Sequence, residues 1–324
     1  MQLKAKKILP LKKQIVKKNS IKKTIAKKAI TKKTFVTSLI HSRAQQNIKR
    51  ANLERISIIN QLISKGKRVV VFVPKEINKI ENEYLKQITK KRNVKIINVE
   101  NNSPYNTAWQ RDSFTKLKSR YYNKDRMRDI RARVPEQLRR YFGEGGRVID
   151  LGTLKGKKSI IVSNTVKESG NPRIEKEIRE EISMLKRQGY NVFELPGHDF
   201  SPHGRTGNPQ LKKAWFDHLD VFVNSIPEKK VLLVDPDYLK KNYSNITGIS
   251  KATGFKIIKI PQKEKYSYPA NFLNIGNGEV IVNSDAKQTI NLLKNTGVKV
   301  FVSPRAIREN LTMRGSIGCF VNVN

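Results

Sequence analysis

Residues 172–195 read PRIEKEIREEISMLKRQGYNVFEL, and the order of patterns within this stretch decides the class of fold. Residues 172–188 are helical in pattern, Gly189-Tyr190 follows, and residues 191–195 form a short strand-like run. The same order returns at residues 286–303, where Gly297-Val298 separates a helical segment from a strand-like one. Strands separated by helices predict an α/β domain.

Other segments extend this alternation along the chain. Arg68–Pro74 (RVVVFVP) is a β-branched run bounded by proline, which predicts a buried strand. A helix that ends near Gly66 precedes it, with one apolar face at Ile48, Ala51, Ile56, Ile59 and Ile63. Gly276-Asn277-Gly278 predicts a hairpin turn. Further strands are predicted at residues 94–99, 159–163, 221–224, 231–235, 255–260 and 279–283, and further helices at 76–91 and 124–141.

Composition limits the class of protein. The chain has 324 residues, a formal net charge of +39 and one cysteine. The length suits one large domain or two smaller ones. A single cysteine excludes an intrachain disulfide and favours a reducing, cytoplasmic setting. No apolar run approaches the ~20 residues of a membrane helix, so we expect no transmembrane segment. The charge indicates a polyanionic partner and says nothing about the fold.

The positive charge is densest in residues 1–50, which hold sixteen of the 66 Lys and Arg residues and no acid. Lysine pairs recur there every five residues, a period that fits neither a helix nor a strand. We therefore predict a disordered, Lys-rich tail at 1–50 and one domain at 51–324. The tail is either a solvated segment or an arm that binds DNA, RNA or an anionic membrane surface. The lysines assigned to such an arm are Lys17, Lys18, Lys22, Lys23, Lys27 and Lys28.

Motifs for metals and nucleotide cofactors are weak. Residues 143–146 (GEGG) lack the Gly-Lys-Ser/Thr ending of a phosphate-binding loop, and Gly145-Gly146 alone is typical of a turn. The histidines and the cysteine do not have the spacing of zinc ligands. We therefore predict neither a metal nor a cofactor.

Two short segments carry reactive side chains. In Asp217-His218-Leu219-Asp220, a strand would place His218 and Asp220 on one face. A histidine beside a carboxylate can act as an acid or base, and the alternative is a solvated strand edge. Cys319 is either a small buried hydrophobe or a nucleophile, whose thiolate a nearby histidine or a cationic substrate would favour.

Four short motifs lie in a definite order along the chain: Arg111-Asp112, Glu144-Gly145-Gly146, His218-Leu219-Asp220, and a late Cys319. This order resembles that of the guanidino-group-modifying superfamily, which includes arginine deiminases, agmatine deiminases and amidinotransferases. Residues 104–114 (PYNTAWQRDSF) and 314–319 (RGSIGC) are similar to motifs of the arginine deiminase branch. The resemblance covers about residues 68–324 and leaves the basic tail outside.

The resemblance implies a role for each matched residue. Cys319 would attack the guanidinium carbon, and His218 would act as acid and then as base. Asp112 and Asp220 would clamp the planar cation, while Glu144 would help to position it. The remainder of the substrate would be held by Asn106 and Arg314.

The resemblance also implies a fold and a reaction. The fold is the pentein α/β propeller of five ββαβ modules. The reaction is cysteine-dependent hydrolysis of a guanidino compound, most like conversion of arginine to citrulline and ammonia through a covalent thiouronium intermediate. Two alternatives remain: an amidinotransferase with the same Cys and His, and a catalytically silent scaffold with a basic nucleic-acid-binding tail.

Overall fold

The computed structural model describes residues 33–39, 46–74, 79–99, 114–117, 120–123, 145–165, 172–200, 214–216, 218–308 and 316–323. The chain divides into two units, Met1–Lys33 and Thr34–Asn324, and the elements described below belong to the second. Within the described ranges, no helix combines the length and apolar character needed to cross a membrane.

The elements are numbered in chain order. The strands are β1 (Thr34–Ser38), β2 (Arg68–Pro74), β3 (Val94–Val99), β4 (Phe114–Leu117), β5 (Arg120–Asn123), β6 (Val148–Leu154), β7 (Lys157–Ser163), β8 (Asn191–Leu195), β9 (His198–Phe200), β10 (Ala214–Phe216), β11 (Val223–Ile226), β12 (Val231–Val234), β13 (Lys256–Lys259), β14 (Leu273–Gly276), β15 (Glu279–Val282), β16 (Lys299–Val302) and β17 (Val321–Val323). The helices are α1 (Gln46–Ser64), α2 (Lys79–Thr89), α3 (Pro172–Arg187), α4 (Pro236–Lys241), α5 (Tyr243–Thr253), α6 (Lys287–Lys294) and α7 (Ile317–Phe320).

Three sheets repeat the same connection. In each, two antiparallel strands form a hairpin, and a helical connection leads to a third strand parallel to the second. The sheets are β6-β7-β8, β11-β12-β13 and β14-β15-β16. Mixed sheets with helical crossovers confirm the predicted α/β class.

A fourth sheet joins the two ends of the folded unit in the order β17-β1-β2-β3. β17 is antiparallel to β1, and β1 is parallel to β2, with α1 between them. This is the connection of the other three sheets, except that the first strand comes from the far end of the chain. Ile58, Ile59 and Leu62 of α1 are buried in the same core cluster as Val69 and Val71 of β2.

In each of these four sheets, the ends of the strands lie along two opposite sides. The first strand begins where the second ends: Val148 pairs with Val162, Val223 with Val234, and Val321 with Thr37. We call the end at which β6, β11, β14 and β17 begin the open edge. The opposite end, where β7, β12, β15 and β1 begin, is the hairpin edge.

Strands β6 and β14 were missed by the pattern analysis. Each contains an irregularity in its pairing, between Asp150 and Thr153 in β6 and between Asn274 and Gly276 in β14. A β-bulge adds an unpaired residue and breaks the period of two on which strand recognition depends. The predicted hairpin turn at residues 276–278 is confirmed, with Asn277 at φ 58° and Gly278 at φ 71°.

Folded structure begins earlier than the predicted boundary. The division between residues 50 and 51 falls inside α1, and Thr34–Ser38 is already a strand. The run Thr34-Phe35-Val36-Thr37 is β-branched and aromatic, and Phe35 is fully buried. The tail lysines assigned to polyanion binding and the helix predicted at residues 124–141 lie outside the described residues.

Candidate active site

Cys319 lies at the open edge, in the short helix α7 directly before β17. Its side chain is buried, with 3% of its surface exposed. The Cys319 Sγ lies 4.0 Å from Oδ2 of Asp220, which is itself fully buried. The structure therefore brings together a thiol and a carboxylate that stand far apart in the sequence.

Asn271 holds this pair in place. Its Nδ2 donates to Asp220 Oδ2 at 2.6 Å, while its Oδ1 accepts the backbone N–H groups of Ser316 and Cys319, each at 3.1 Å. The Asn271 carbonyl also accepts the N–H of Gly318 at 3.0 Å. One buried side chain thus orients both the carboxylate and the backbone that carries the thiol.

Asp220 and His218 both pack against Gly146. A methyl group built at the Gly146 Cα would lie 2.7 Å from Cγ and Nδ1 of His218 and 3.0 Å from Oδ1 of Asp220. Glycine is needed there because the two side chains approach the backbone more closely than a Cβ allows. The prediction that His218 and Asp220 lie in a strand was wrong, because Leu219–Val221 is a 3-10 turn. The turn nevertheless brings both side chains to Gly146.

Replacing Gly146 by alanine tests this packing. The new methyl group must displace the imidazole near its attachment point, where the side chain cannot swing aside cheaply. We expect Gly146→Ala to lower kcat by about 100-fold, the order expected when reacting groups move by about 1 Å. Steady-state kinetics against the candidate substrates measure the change.

Gly248→Ala is the matched control. Gly248 lies inside α5, and nothing stands within 4 Å of a methyl group built there. This substitution should leave kcat unchanged and stabilise the fold by about 0.5–1 kcal/mol. Equal kinetic losses in both variants would contradict the packing role of Gly146.

Arg55 of α1 is a buried cation close to the thiol. Burial lowers the pKa of its guanidinium to about 9, and the negative charges of Glu54 and of the Cys319 thiolate oppose that shift. The attraction is mutual, so the same cation favours the thiolate form of Cys319. α7 packs against α1, and Glu54 accepts the backbone N–H of Arg308 at 2.7 Å, which anchors this part of α1.

The pH dependence of thiol alkylation tests the role of Arg55. Removing the cation in Arg55→Met destabilises the thiolate, so the pH of half-maximal reaction with iodoacetamide should rise by about 1–2 units. Arg55→Lys keeps a positive charge and should recover most of that shift. A purely structural role would instead alter the thermal midpoint in both variants and leave the alkylation profile in place.

The structure accounts for part of the set predicted from sequence. It brings His218, Asp220 and Cys319 to one edge, with Gly146 between the first two. Four other predicted residues lie outside the described residues: Asn106, Asp112, Glu144 and Arg314. Asn271 and Arg55 were missed. The only signal for Asn271 was an amide within the apolar run Ala270–Leu273, and Arg55 was one basic residue among 66.

Comparison with known proteins adds two structural similarities. No protein-family model matches the chain, and no curated protein matches it. SxtG, an amidinotransferase from Microseira wollei in the saxitoxin biosynthetic pathway, is 13% identical over 89% of this chain and 93% of its own, with a TM-score of 0.49. The inosamine-phosphate amidinotransferase from Streptomyces griseus is 12% identical over 85% and 80%, with a TM-score of 0.44.

Both of these structures are amidinotransferases. Because the identities and TM-scores are low, the contacts among Asp220, Asn271 and Cys319 carry the functional proposal.

Proposed function

We propose that the protein is a cysteine-dependent enzyme that modifies guanidino groups, with Cys319 as the nucleophile. The observation that carries this proposal is the 4.0 Å approach of the Cys319 thiol to the buried Asp220 carboxylate. The Asp220 carboxylate disfavours the Cys319 thiolate and the buried Arg55 favours it, so a second cation bound beside Asp220 shifts the balance further toward the thiolate. A guanidinium supplies that cation and offers a planar fork of N–H donors that fits a carboxylate.

The first half of the reaction forms a covalent adduct. The Cys319 thiolate attacks the guanidinium carbon, while Asp220 holds the N–H donors of the cation. One C–N bond then breaks, and His218 gives its proton to the departing nitrogen. The product on the enzyme is a thiouronium, an amidino carbon bonded to Sγ.

The second half restores the thiolate. His218, now neutral, takes a proton from the incoming nucleophile, which attacks the amidino carbon and expels Sγ. If ammonia leaves first and water attacks, a ureido product forms, as in the predicted arginine deiminase reaction. If the substituted amine leaves first and another amine attacks, the amidino group is transferred. The two reactions use the same described side chains and differ in the C–N bond that breaks first and in the nucleophile that attacks the adduct.

The remaining assignments complete the proposal. Asp112 forms the second side of the guanidinium clamp and Glu144 positions it, while Asn106 and Arg314 bind the rest of the substrate. Glu144 directly precedes the 3-10 turn Gly145–Arg147. Because Gly146 in this turn packs against His218 and Asp220, the sequence position of Glu144 supports its assignment to the open edge. Four sheets share the same order of strand connections, and this repetition supports the five-module pentein propeller as the fold.

Incubation of the full-length protein with guanidino compounds tests the reaction. The panel is arginine, agmatine, methylated arginine and a peptidyl arginine, each with and without a set of acceptor amines. Release of ammonia with a ureido product identifies a hydrolase, whereas turnover that requires an amine identifies an amidinotransferase. Trapped amidino-Cys319 seen by mass spectrometry would support either. A panel without turnover or adduct would contradict the proposal and favour the silent-scaffold alternative.

A further inference from the structure

The hairpin edge, opposite the candidate active site, carries a band of exposed lysines. Each lies within two residues of the first residue of a strand that begins at this edge. Lys157 begins β7, Lys256 begins β13 and Lys299 begins β16, while Lys229-Lys230 directly precedes β12. We call the following six residues, all exposed, the hairpin-edge lysines: Lys157, Lys158, Lys229, Lys230, Lys256 and Lys299.

Pairing and contacts make this band continuous from sheet to sheet. Within sheets, Val231 at the start of β12 pairs with Lys256, and Glu279 pairs with Lys299. Between sheets, a methyl group built at Gly152 would meet Pro227 at 3.1 Å, and one built at Gly278 would meet the Lys229 side chain at 2.7 Å. The turns of three neighbouring sheets therefore touch in series.

The band extends to the fourth sheet through the turn between α1 and β2. Lys67 Nζ donates to the carbonyl of Ile275 at 3.1 Å, and the Lys65 ammonium lies 3.1 Å from the centre of the Phe301 ring. Burial lowers the pKa of Lys65, Glu279 opposes this, and the nearby charges of Lys299 and Lys67 lower it further. Cations are thus close enough to repel one another at this edge.

Acidic residues do not balance this charge. Of the described acids, Glu228 and Glu279 lie at the hairpin edge, and Glu279 is already bonded to Lys299 at 2.7 Å. Three further described acids follow strands at the open edge and are already engaged there. Asp235 caps α4, Glu264 accepts the N–H groups at the start of α6, and Asp285 pairs with Arg308. The hairpin edge therefore carries six exposed lysines against Glu228 and an already paired Glu279.

We propose that the hairpin edge of the folded unit binds the phosphate backbone of a nucleic acid, independently of its sequence. Lysines are compact point charges that each neutralise a phosphate and release a counterion. They stand on strand ends of several contacting sheets, which gives an extended cationic surface suited to a long polyanion. The like-charge repulsion already present at this edge is relieved when phosphates bind.

The apolar surface argues for nucleic acid over a lipid bilayer. Proteins that lie on membranes combine basic residues with apolar side chains that enter the interface. Four large apolar side chains of the described chain are exposed: Ile80, Tyr243, Leu292 and Val302. Ile80 lies at the start of α2 and Val302 ends β16, both on the open-edge side, while Tyr243 and Leu292 lie in α5 and α6. They stand on four separate elements, and apolar residues scattered singly do not form the apolar face with which a protein enters a membrane.

Two full-length variants of equal net charge test the proposal. The first neutralises the hairpin edge with Lys157, Lys158, Lys229, Lys230 and Lys256 each changed to Gln. The control changes five exposed lysines away from that edge, Lys240, Lys241, Lys259, Lys263 and Lys287, each to Gln. Both keep residues 1–33, so the difference between the variants reports on the folded unit. Binding to a fluorescent DNA duplex of about 20 base pairs is measured across a KCl series.

We expect the hairpin-edge variant to bind about 100-fold more weakly at ~0.1 M KCl, with a salt dependence shallower by about 3–4 in log–log slope. The control should keep its slope to within about 1. A variant with only Lys229→Gln and Lys230→Gln should lower the slope by about 1–2. This double variant keeps the proposal testable if the fivefold variant misfolds. Equal losses in hairpin-edge and control variants would overturn the proposal, as would native-like binding by the hairpin-edge variant. A larger loss for phosphatidylserine vesicles than for the duplex would also overturn it, in favour of a membrane.

Discussion

Cys319→Ser should reduce turnover of any guanidino substrate by at least about 10⁴-fold while the protein remains folded. Serine preserves the size of the side chain, but its hydroxyl does not ionise near neutral pH and is a far weaker nucleophile than a thiolate. Loss of the nucleophile removes the covalent step, and losses of this order follow when such a residue is removed. Single-turnover assays with mass spectrometry of the intact protein measure both turnover and the amidino adduct.

The fold of this variant provides the control. Serine keeps a small group that can donate to Asp220 from the position of the thiol, so the thermal midpoint should change by no more than a few degrees. Retained turnover in a folded Cys319→Ser protein would remove Cys319 from the mechanism. It would leave the binding of a guanidinium by Asp220 as a separate question, answered by ligand binding to the same variant.

Asn271→Leu should lower both stability and activity. The substitution removes a hydrogen bond to the Asp220 carboxylate and the acceptor of the Ser316 N–H, while the Cys319 N–H keeps the Ser316 carbonyl at 3.0 Å. Buried groups deprived of partners cost ~1–3 kcal/mol each, so we expect a loss of about 4 kcal/mol. The thermal midpoint should fall on the order of 10 °C. In the remaining folded protein, kcat should fall by ~100-fold because the thiol and carboxylate lose their common anchor.

Asn283→Leu separates the two effects. Asn283 is a buried asparagine of the same kind, which accepts the N–H of Ile307 at 3.0 Å and donates to the carbonyl of Ser267 at 3.2 Å. Neither of these hydrogen bonds involves Asp220 or Cys319. Loss of Asn283 should therefore lower the thermal midpoint without lowering kcat per folded molecule. If both variants lose kcat equally, Asn271 acts on stability alone.

Local patterns were sufficient where a strand or helix is regular. β2, β3 and β8 have the predicted limits because each is a short run rich in β-branched and apolar residues with clear end signals and no bulge. β6 and β14 carry bulges, and β1 and β17 are short strands that pair across almost the whole chain. No window of neighbouring residues contains the pairing that makes Val321–Val323 a strand.

The site was partly predictable for a similar reason. Histidine, aspartate and cysteine are uncommon in this chain or chemically distinctive, so His218, Asp220 and Cys319 could be singled out and matched to a family order. Asn271 acts only through partners that three-dimensional folding brings to it. Arg55 is one of 66 basic residues, so only its burial distinguishes it.

The pairing of β1 with β17 has a consequence for biosynthesis. β1 is translated before every other described element, and β17, with Cys319 just ahead of it, is translated after all of them. On the ribosome, β1 must wait with one side unpaired until residue 323 has emerged, and an unpaired strand edge is a site for association with other chains. The thiol reaches Asp220 only when β17 pairs with β1, so under the proposed function a chain stalled before residue 319 carries His218 and Asp220 without the nucleophile. Closing of this sheet and assembly of the proposed reactive centre are therefore a single event.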